Sequence, residues 1–355
     1  MSRIYLGGAG GAPTNNVIRS LRESGKDHLI GASSDASDLF LADVDERHVV
    51  PLANAPEYGA RLLGLLNRTR PELAHFQNDF EIRAVSRMRK DVLATGVKLF
   101  MPREHVIETC VDKDQSYQVW QRAGIKVPRT MLIRDEKDLR TAFDTLGAKI
   151  WLRATEGGGG RGALPADDFT FAKLWIDRFK GWGHFTAAEL LTSNTVTWLS
   201  IWYEGELVVA QTRRRKSWSF GNRTLSGVTG VTGVGETWSD DTVTRVSRDA
   251  ISSIDDRPHG IYGVDMTYDQ AGVPNPTEIN ISRFFTTVYF FTRAGLNMPR
   301  IFVDLALHGR APSLAKKINP LPDGLLWIRG MDVEPTLIKT EEFEAFLKTQ
   351  QVEST

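Results

Sequence analysis

The first hundred residues alternate short apolar runs with helical stripes, and this rhythm limits the possible folds more than any other feature of the chain. Ile4-Tyr5-Leu6 is followed by Val17, Ile18 and Leu21, and Leu29-Ile30 by Tyr58, Leu62, Leu63, Leu65 and Leu66. Leu73 to Phe76 is followed by Ile82, Val85, Met88 and Val92, ahead of Lys98-Leu99-Phe100. Runs too short for helices, separated by stripes at helical spacing, predict a βαβαβαβ unit: an open parallel sheet with helices on its faces. Gly7-Gly8-Ala9-Gly10-Gly11-Ala12-Pro13 falls at the first strand-to-helix turn, where such folds place nucleotide phosphates. Pro13 stands where a GxGxxG would need its third glycine, and a ribose-binding acid is ambiguous among Asp35, Asp38 and Asp43. The glycines are therefore expected to make a tight turn rather than a dinucleotide site.

After about residue 106 the texture changes. Asp112 can cap a helix carrying Tyr117, Trp120 and Ala123 that Gly124 stops, and Pro128 sets up an extended entry to Thr130–Ile133. A helix with Leu139, Ala142, Phe143 and Leu146 on one face ends at Gly147. The strand Lys149–Arg153 runs into Glu156-Gly157-Gly158-Gly159-Gly160-Arg161-Gly162, and Phe171, Leu174, Trp175 and Phe179 form a further helical stripe. Strands are expected at Phe185–Leu191, Val196–Tyr203 and Glu206–Arg213, the last two joined at Glu204-Gly205. Gly260–Tyr268 and Pro274–Ile281 read as another antiparallel pair, turned at Asp269–Gly272, and the tail after about Pro312 carries little pattern.

Composition narrows the class. A length of 355 residues suits two or three domains, and 44 basic against 44 acidic side chains give no global attraction to nucleic acid or anionic membranes. Cys110 is the only cysteine, which excludes an intramolecular disulfide framework and a multi-cysteine zinc site and fits a reducing cytosol. Arg3 is followed by a glycine-broken segment instead of a signal-like apolar core, and no apolar run reaches membrane-spanning length. A cytoplasmic protein without nucleic-acid or membrane partners is the expectation.

Three constellations carry chemistry. Gly157, Gly158, Gly159, Gly160 and Gly162 let backbone amides approach phosphate oxygens, with Arg161 inside the loop and Arg153 on the strand before it. Glu278 and Asn280 alternate on one strand, and the hairpin can bring Asp265 beside them, which assembles two carboxylates and an amide oxygen of the kind Mg²⁺ prefers when it keeps waters and phosphates. The flanking Ile261, Val264, Met266, Ile279 and Ile281 suggest buried strands, where unpaired carboxylates would be costly. Arg213-Arg214-Arg215-Lys216 is too short for a nucleic-acid patch; at a strand end it is either a solvated face or a source of one or two arginines for a phosphoryl group or a carboxylate. Ser226–Gly233 is a second permissive loop, a lid or a linker.

In this order the elements resemble the ATP-grasp superfamily, and most of all its branch related to the large chain of carbamoyl-phosphate synthase, over nearly all of residues 3 to 310. The segment "GVDMTYDQAGVPNPTEINISR" is similar to that family's metal site, which makes Asp265, Glu278 and Asn280 the expected Mg²⁺ ligands. "DKDQSYQVWQRAGIKVPRT" and "IWLRATEGGGGRGAL" resemble the segments that open the grasp and cover the triphosphate, implying phosphate contacts from Lys113 and Arg153. "AAELLTSNTVTWLSIWYEGELVVAQTRRR" resembles the adenine hinge, with Glu189, Leu190 and Leu191 at the base. Thr195 stands where the family usually has a ribose-binding glutamate, and Arg283 lies three positions after the metal asparagine, where the family often has an arginine two after.

The resemblance implies an α/β and α+β architecture: a Rossmann-like pre-ATP-grasp domain over 1–105 on the substrate side, a small lobe over 106–187, a large lobe with the metal site over 188–310 and an appendage over 311–355. It also implies an ATP- and Mg²⁺-dependent ligase that joins a small-molecule carboxylate to an amine through an acyl phosphate, with ADP and phosphate released and a homodimer as the candidate assembly. Arg153, Arg215 and Arg283 are then the expected catalytic cations. The rivals are a nucleotide-binding regulatory protein of the same fold without turnover, and an NAD-dependent oxidoreductase built on the first domain, which gives Asp265, Glu278 and Asn280 no task.

Overall fold

The computed structural model describes residues 1–25, 27–160, 162–331 and 336–352. The amino-terminal part holds β1 (Arg3–Gly7), α1 (Ala12–Ser24), β2 (His28–Ser33), β3 (Glu46–Val49), α2 (Tyr58–Thr69), β4 (Leu73–His75), α3 (Asp79–Arg87), α4 (Arg89–Ala94) and β5 (Lys98–Leu99). Its five strands are parallel in the order β3-β2-β1-β4-β5, as the alternating pattern predicts. The order reverses between β1 and β4, so the loops at their carboxyl ends, Gly7–Pro13 and Phe76–Asn78, flank the crevice where such sheets bind ligands.

Next come α5 (Glu104–Val111), α6 (Lys113–Arg122), β6 (Thr130–Ile133), α7 (Glu136–Leu146), β7 (Ile150–Ala154), β8 (Leu164–Ala166), α8 (Phe169–Arg178) and β9 (Phe185–Glu189). The Asp112 side chain accepts from the amides of Asp114 and Gln115 and so starts α6, while Gly124 at φ 71° turns the chain out of it. The four strands form a sheet in the order β6-β9-β7-β8 over a core of Ile133, Leu139, Ala142, Ile150, Leu152 and Ile176. The stripe expected on α8 differs here: Phe171 is 44% and Leu174 59% exposed, and Ala172 and Ile176 face the sheet instead. Ala172 is one residue away from Phe171 in the same helical period, so spacing alone could not select the inner face.

The third sheet contains β10 (Thr195–Tyr203), β11 (Glu206–Trp218), β12 (Thr232–Thr237), β13 (Gly260–Tyr268), β14 (Pro274–Ile281), β15 (Leu325–Ile328) and β16 (Thr336–Lys339). Packed with it are α9 (Asp241–Ser252), α10 (Val288–Arg293), α11 (Met298–His308) and α12 (Thr340–Val352). Its order is β14-β13-β10-β11-β12-β15-β16, antiparallel throughout. Two expectations change. The basic run lies inside β11, which continues to Trp218, because that stretch pairs on both sides although it lacks the apolar alternation that marks a strand. The region after 311, expected as an appendage, joins the third sheet: β15 and β16 extend it beside β12. Among the described residues no helix is long and apolar enough to cross a membrane.

Candidate active site

Alternation along the strands of the seven-stranded sheet creates the functional face. Ile201 and Leu199 of β10 are fully buried in one cluster with Phe284, Phe290 and Phe302. Two and four residues before Leu199, on the same face, stand Thr197 and Thr195, so the core gives way to a polar row within one strand. Thr197 lies opposite Arg213 on one side and Asp265 on the other, and Asp265 lies opposite Glu278. On the other face, Val264, Met266, Ile279 and Ile281 belong to the second core cluster.

The structure brings Asp265, Glu278 and Asn280 together as the spacing predicts. Asn280 Nδ2 donates to Asp265 Oδ2 at 3.0 Å, which commits its nitrogen and turns its amide oxygen away from Asp265. The ladder slips next to Asp265, where the partner changes from Glu278 to Pro276. Thr277, left between them, accepts Arg153 Nη2 on its carbonyl at 2.7 Å, so the irregularity ties a cation of β7 to β14. Two carboxylates and an amide oxygen suit Mg²⁺, which is usually held by one or two carboxylates plus substrate phosphates. Among the described residues no group of three or more His, Cys, Asp or Glu side chains is placed to hold a metal ion by itself.

Cations converge on this set. Lys113 Nζ is 3.8 Å and Arg153 Nη1 4.0 Å from Glu278 Oε2. Burial lowers the pKa of both, and Glu278 works in the opposite direction. Lys113 also donates to the Gly157 carbonyl at 2.7 Å, tying the first residue of α6 to the glycine loop. Arg283 reaches the site in spite of its extra residue of spacing because Ser282 adopts a left-handed conformation, φ 55°, which re-aims the chain after β14. Its Nε donates to Asp79 Oδ1 at 2.8 Å. Burial opposes the Arg283 charge, but Asp79, Glu278 and Asp265 together hold its pKa above the usual value. Asp79 is a partner of Arg283 that the sequence did not disclose, being one of two acids, with Glu81, in the first turn of α3.

The basic run splits by face, as strand parity requires. Arg214 and Lys216 both pair with Glu236, and Arg214 stacks on Trp238 at 3.9 Å. On the opposite face Arg215 donates to Thr195 Oγ1 at 2.7 Å and Thr232 Oγ1 at 3.0 Å and stacks on Trp218 at 3.6 Å. Arg213 on that same face is fully buried among threonine hydroxyls. Thr195 is thus engaged by Arg215, so the position at which the resemblance expects a ribose contact is part of the arginine network.

Gly157, Gly159, Gly160 and Gly162 all have φ between 69° and 93°, a region closed to most side chains. This loop packs backbone to backbone on the second glycine loop. A Cβ on Gly160 would lie 2.8 Å from the Val228 carbonyl oxygen, and one on Gly230 would lie 2.6 Å from the Gly159 Cα. Arg161 lies outside the described residues. At the hinge, Glu189 accepts the Arg129 amide and Nε, both at 3.0 Å, while Leu190, 39% exposed, and Leu191 follow the end of β9. The amino-terminal glycine turn is self-satisfied: the amides of Ala9, Gly10 and Gly11 go to the Ala32 carbonyl, the Asn15 side chain and the Gly8 carbonyl. It is a packed turn, with no amide among these three left to cradle a phosphate.

No protein-family model matches the chain. One of the pyruvate carboxylase polypeptides of Methanothermobacter thermautotrophicus is 28% identical over 153 residues, which is 41% of this chain; the chain spans about a third of that relative, 31%. Among solved structures, the L-amino acid ligase of Bacillus licheniformis superposes with a TM-score of 0.68 at 12% identity, over 92% of this chain and 79% of that one. The biotin carboxylase domain dimer of Hydrogenobacter thermophilus 2-oxoglutarate carboxylase, in complex with MgADP, ADP and bicarbonate, gives 0.68 at 16% identity, over 92% and 74%. Over 92% of its length the chain therefore has the fold of these two structures.

Proposed function

We propose that the chain is an ATP- and Mg²⁺-dependent carboxylate–amine ligase that converts a carboxylate to an acyl phosphate and lets an amine displace the phosphate. The observation that carries this reading is the Asp265, Glu278 and Asn280 set facing Lys113 and Arg153 beneath a glycine loop. Five site cations, Lys113, Arg153, Arg213, Arg215 and Arg283, stand against three carboxylates, Asp79, Asp265 and Glu278, and the surplus suits a polyanion.

Asp265, Glu278 and Asn280 would hold Mg²⁺, which when bound with the nucleotide neutralises charge on the phosphate oxygens. Lys113, Arg153 and the Gly157–Gly162 loop would orient the triphosphate, and Glu189, Leu190 and Leu191 would line the adenine. Arg215 and Arg283 remain protonated at any working pH and so act as fixed charges on the transferring phosphoryl group and the acceptor carboxylate rather than as bases. An acyl phosphate is unstable in water, and the two packed glycine loops would exclude solvent while it exists.

The test is an ADP-release screen with purified protein, ATP and Mg²⁺ against a panel of amino acids and small carboxylates, with the nucleotide products separated by chromatography. The reading expects ADP and phosphate in the presence of both an acid and an amine. AMP as the main product would refute the acyl-phosphate route.

A further inference from the structure

Arg213 is a buried cation surrounded by hydroxyls. Its Nη1 donates to Thr287 Oγ1 at 2.7 Å and Thr232 Oγ1 at 3.1 Å, its Nη2 donates to Thr197 Oγ1 at 2.9 Å, and the Phe285 ring lies 4.5 Å below it. Gly235, opposite Arg215 on β12, leaves space for it: a Cβ there would lie 3.0 Å from Arg213 Cδ. Burial and the neighbouring Arg215 lower its pKa to about 9. Among the described residues Arg213 has no ion-pair partner, and a buried charge left so is expensive to maintain, so the fold must gain something from its position.

Thr232 also accepts from Arg215, whereas Thr197 donates onward, to Asp265 Oδ1. A guanidinium can only donate, so Thr197 Oγ1 must accept from Arg213 and has its single proton left for Asp265. The direction of the chain is thereby fixed: Arg213 to Thr197 to Asp265. These residues lie in one cross-strand row, Arg213 of β11 opposite Thr197 of β10, Thr197 opposite Asp265 of β13, and Asp265 opposite Glu278 of β14. Asn280 occupies Asp265 Oδ2 from the other side. Each oxygen of that carboxylate therefore receives one donor, which fixes its plane and leaves further lone pairs for the cleft.

We propose that Arg213 and Thr197 are positioning residues, forming a relay across the sheet that orients Asp265 to bind the divalent cation. This rests on Asp265 being a metal ligand. Threonine suits the task, because its hydroxyl can accept from the arginine while donating to the carboxylate, and a β-branched side chain holds few rotamers on a strand.

The experiment titrates Mn²⁺ into the nucleotide-free protein and counts free metal by electron paramagnetic resonance, for wild type, Asp265→Asn, Thr197→Val, Thr197→Ala, Thr197→Ser and Thr287→Val. Thermal melts establish that each variant is folded at the titration temperature. Loss of an outer-shell partner typically weakens metal binding by about 10- to 100-fold, so Thr197→Val and Thr197→Ala are expected to bind Mn²⁺ at least about tenfold more weakly. Thr197→Ser restores the hydroxyl and should bind within about twofold of wild type. Thr287→Val removes a different hydroxyl from the same guanidinium and should leave the affinity unchanged, which separates the relay from a general cost of stripping Arg213. Wild-type affinity in both Thr197→Val and Thr197→Ala, with Asp265→Asn weakened, overturns the relay while sparing the metal reading; so does an equal loss in Thr287→Val. Wild-type affinity in Asp265→Asn overturns both.

Discussion

Arg283 and Asp79, 204 residues apart in the chain, meet as an ion pair with Nε–Oδ1 at 2.8 Å and Nη2–Oδ2 at 3.3 Å, joining the end of β14 to the first turn of α3. Through this pair α3 contributes a side chain to the proposed site, and a Cβ built on Gly158 of the glycine loop would stand 3.7 Å from Asp79 Oδ2. The pair compensates for the unusual position of Arg283: the left-handed Ser282 swings it inward, and Asp79 holds it. Asp79→Ala should lower ligation turnover by about tenfold or more while affinity for Mg-ATP changes less, because the arginine loses its orientation and not its charge. Parallel measurements of kcat and nucleotide binding check this, and a variant with unaltered kcat would count against a role for the pair in catalysis.

Glu278→Gln and Asn280→Ala should leave the fold intact and remove most ATP turnover, since each deletes an oxygen ligand or its charge from the set that faces Lys113 and Arg153. Circular dichroism and ADP release measured on the same samples decide the matter. Near-wild-type turnover in both variants would end the assignment of this site.

Arg215→Ala should abolish ligation, whereas Arg214→Ala should have a mild effect, because strand parity sends the first to Thr195 and Thr232 on the cleft face and the second to Glu236 on the other. Nucleotide affinity should fall less than turnover in Arg215→Ala. Equal, small effects from the two substitutions would reduce the run to a solvated basic face.

Hydrogen exchange over Gly157 to Gly160 should slow when Mg-ATP is added, and the segment around Val228 to Gly230 should slow with it, because the two backbones touch. Exchange that is unchanged at saturating nucleotide, or protection confined to one loop, would show that they do not close together.

Stability should depend on pH through Glu81. It is 6% exposed, accepts hydrogen bonds from Asn78 and Tyr58, and burial pushes its pKa up to about 7. A carboxyl whose folded pKa is raised adds stability that is complete below its unfolded value, about 4.5, and is lost as pH climbs through about 7. Glu81→Gln should therefore gain in Tm relative to wild type between pH 5 and pH 8. A Tm difference that is the same at both pH values would contradict the shift.

How much of this could be read from the chain depended on whether a residue's neighbours were local. The hairpin from Gly260–Tyr268 to Pro274–Ile281 runs as its alternation predicts, since apolar Val264, Met266, Ile279 and Ile281 fix one face and leave Asp265, Glu278 and Asn280 on the other. The same parity separates Arg215 from Arg214. Asp79 and Thr197 stay hidden because their partners are distant in sequence: Arg283 is 204 positions after Asp79, and Asp265 is 68 positions after Thr197. Neither residue type is unusual in its own segment. The inner face of α8 escapes the pattern because its packing depends on small Ala172, which a count of large apolar residues passes over.

The pairing of β15 with β12 means that the carboxy-terminal residues brace β12 and β11, the strands of the proposed site, from the outside. β12 supplies Thr232 to Arg213 and Arg215 and Glu236 to Arg214, and Thr340, just beyond β16, also donates to Glu236 at 2.9 Å. A chain shortened at residue 310 would expose a naked strand edge beside the basic run, and bare edges recruit other chains. Such a fragment should precipitate or associate rather than work as a smaller enzyme, so a minimal catalytic unit has to retain the strands through Lys339.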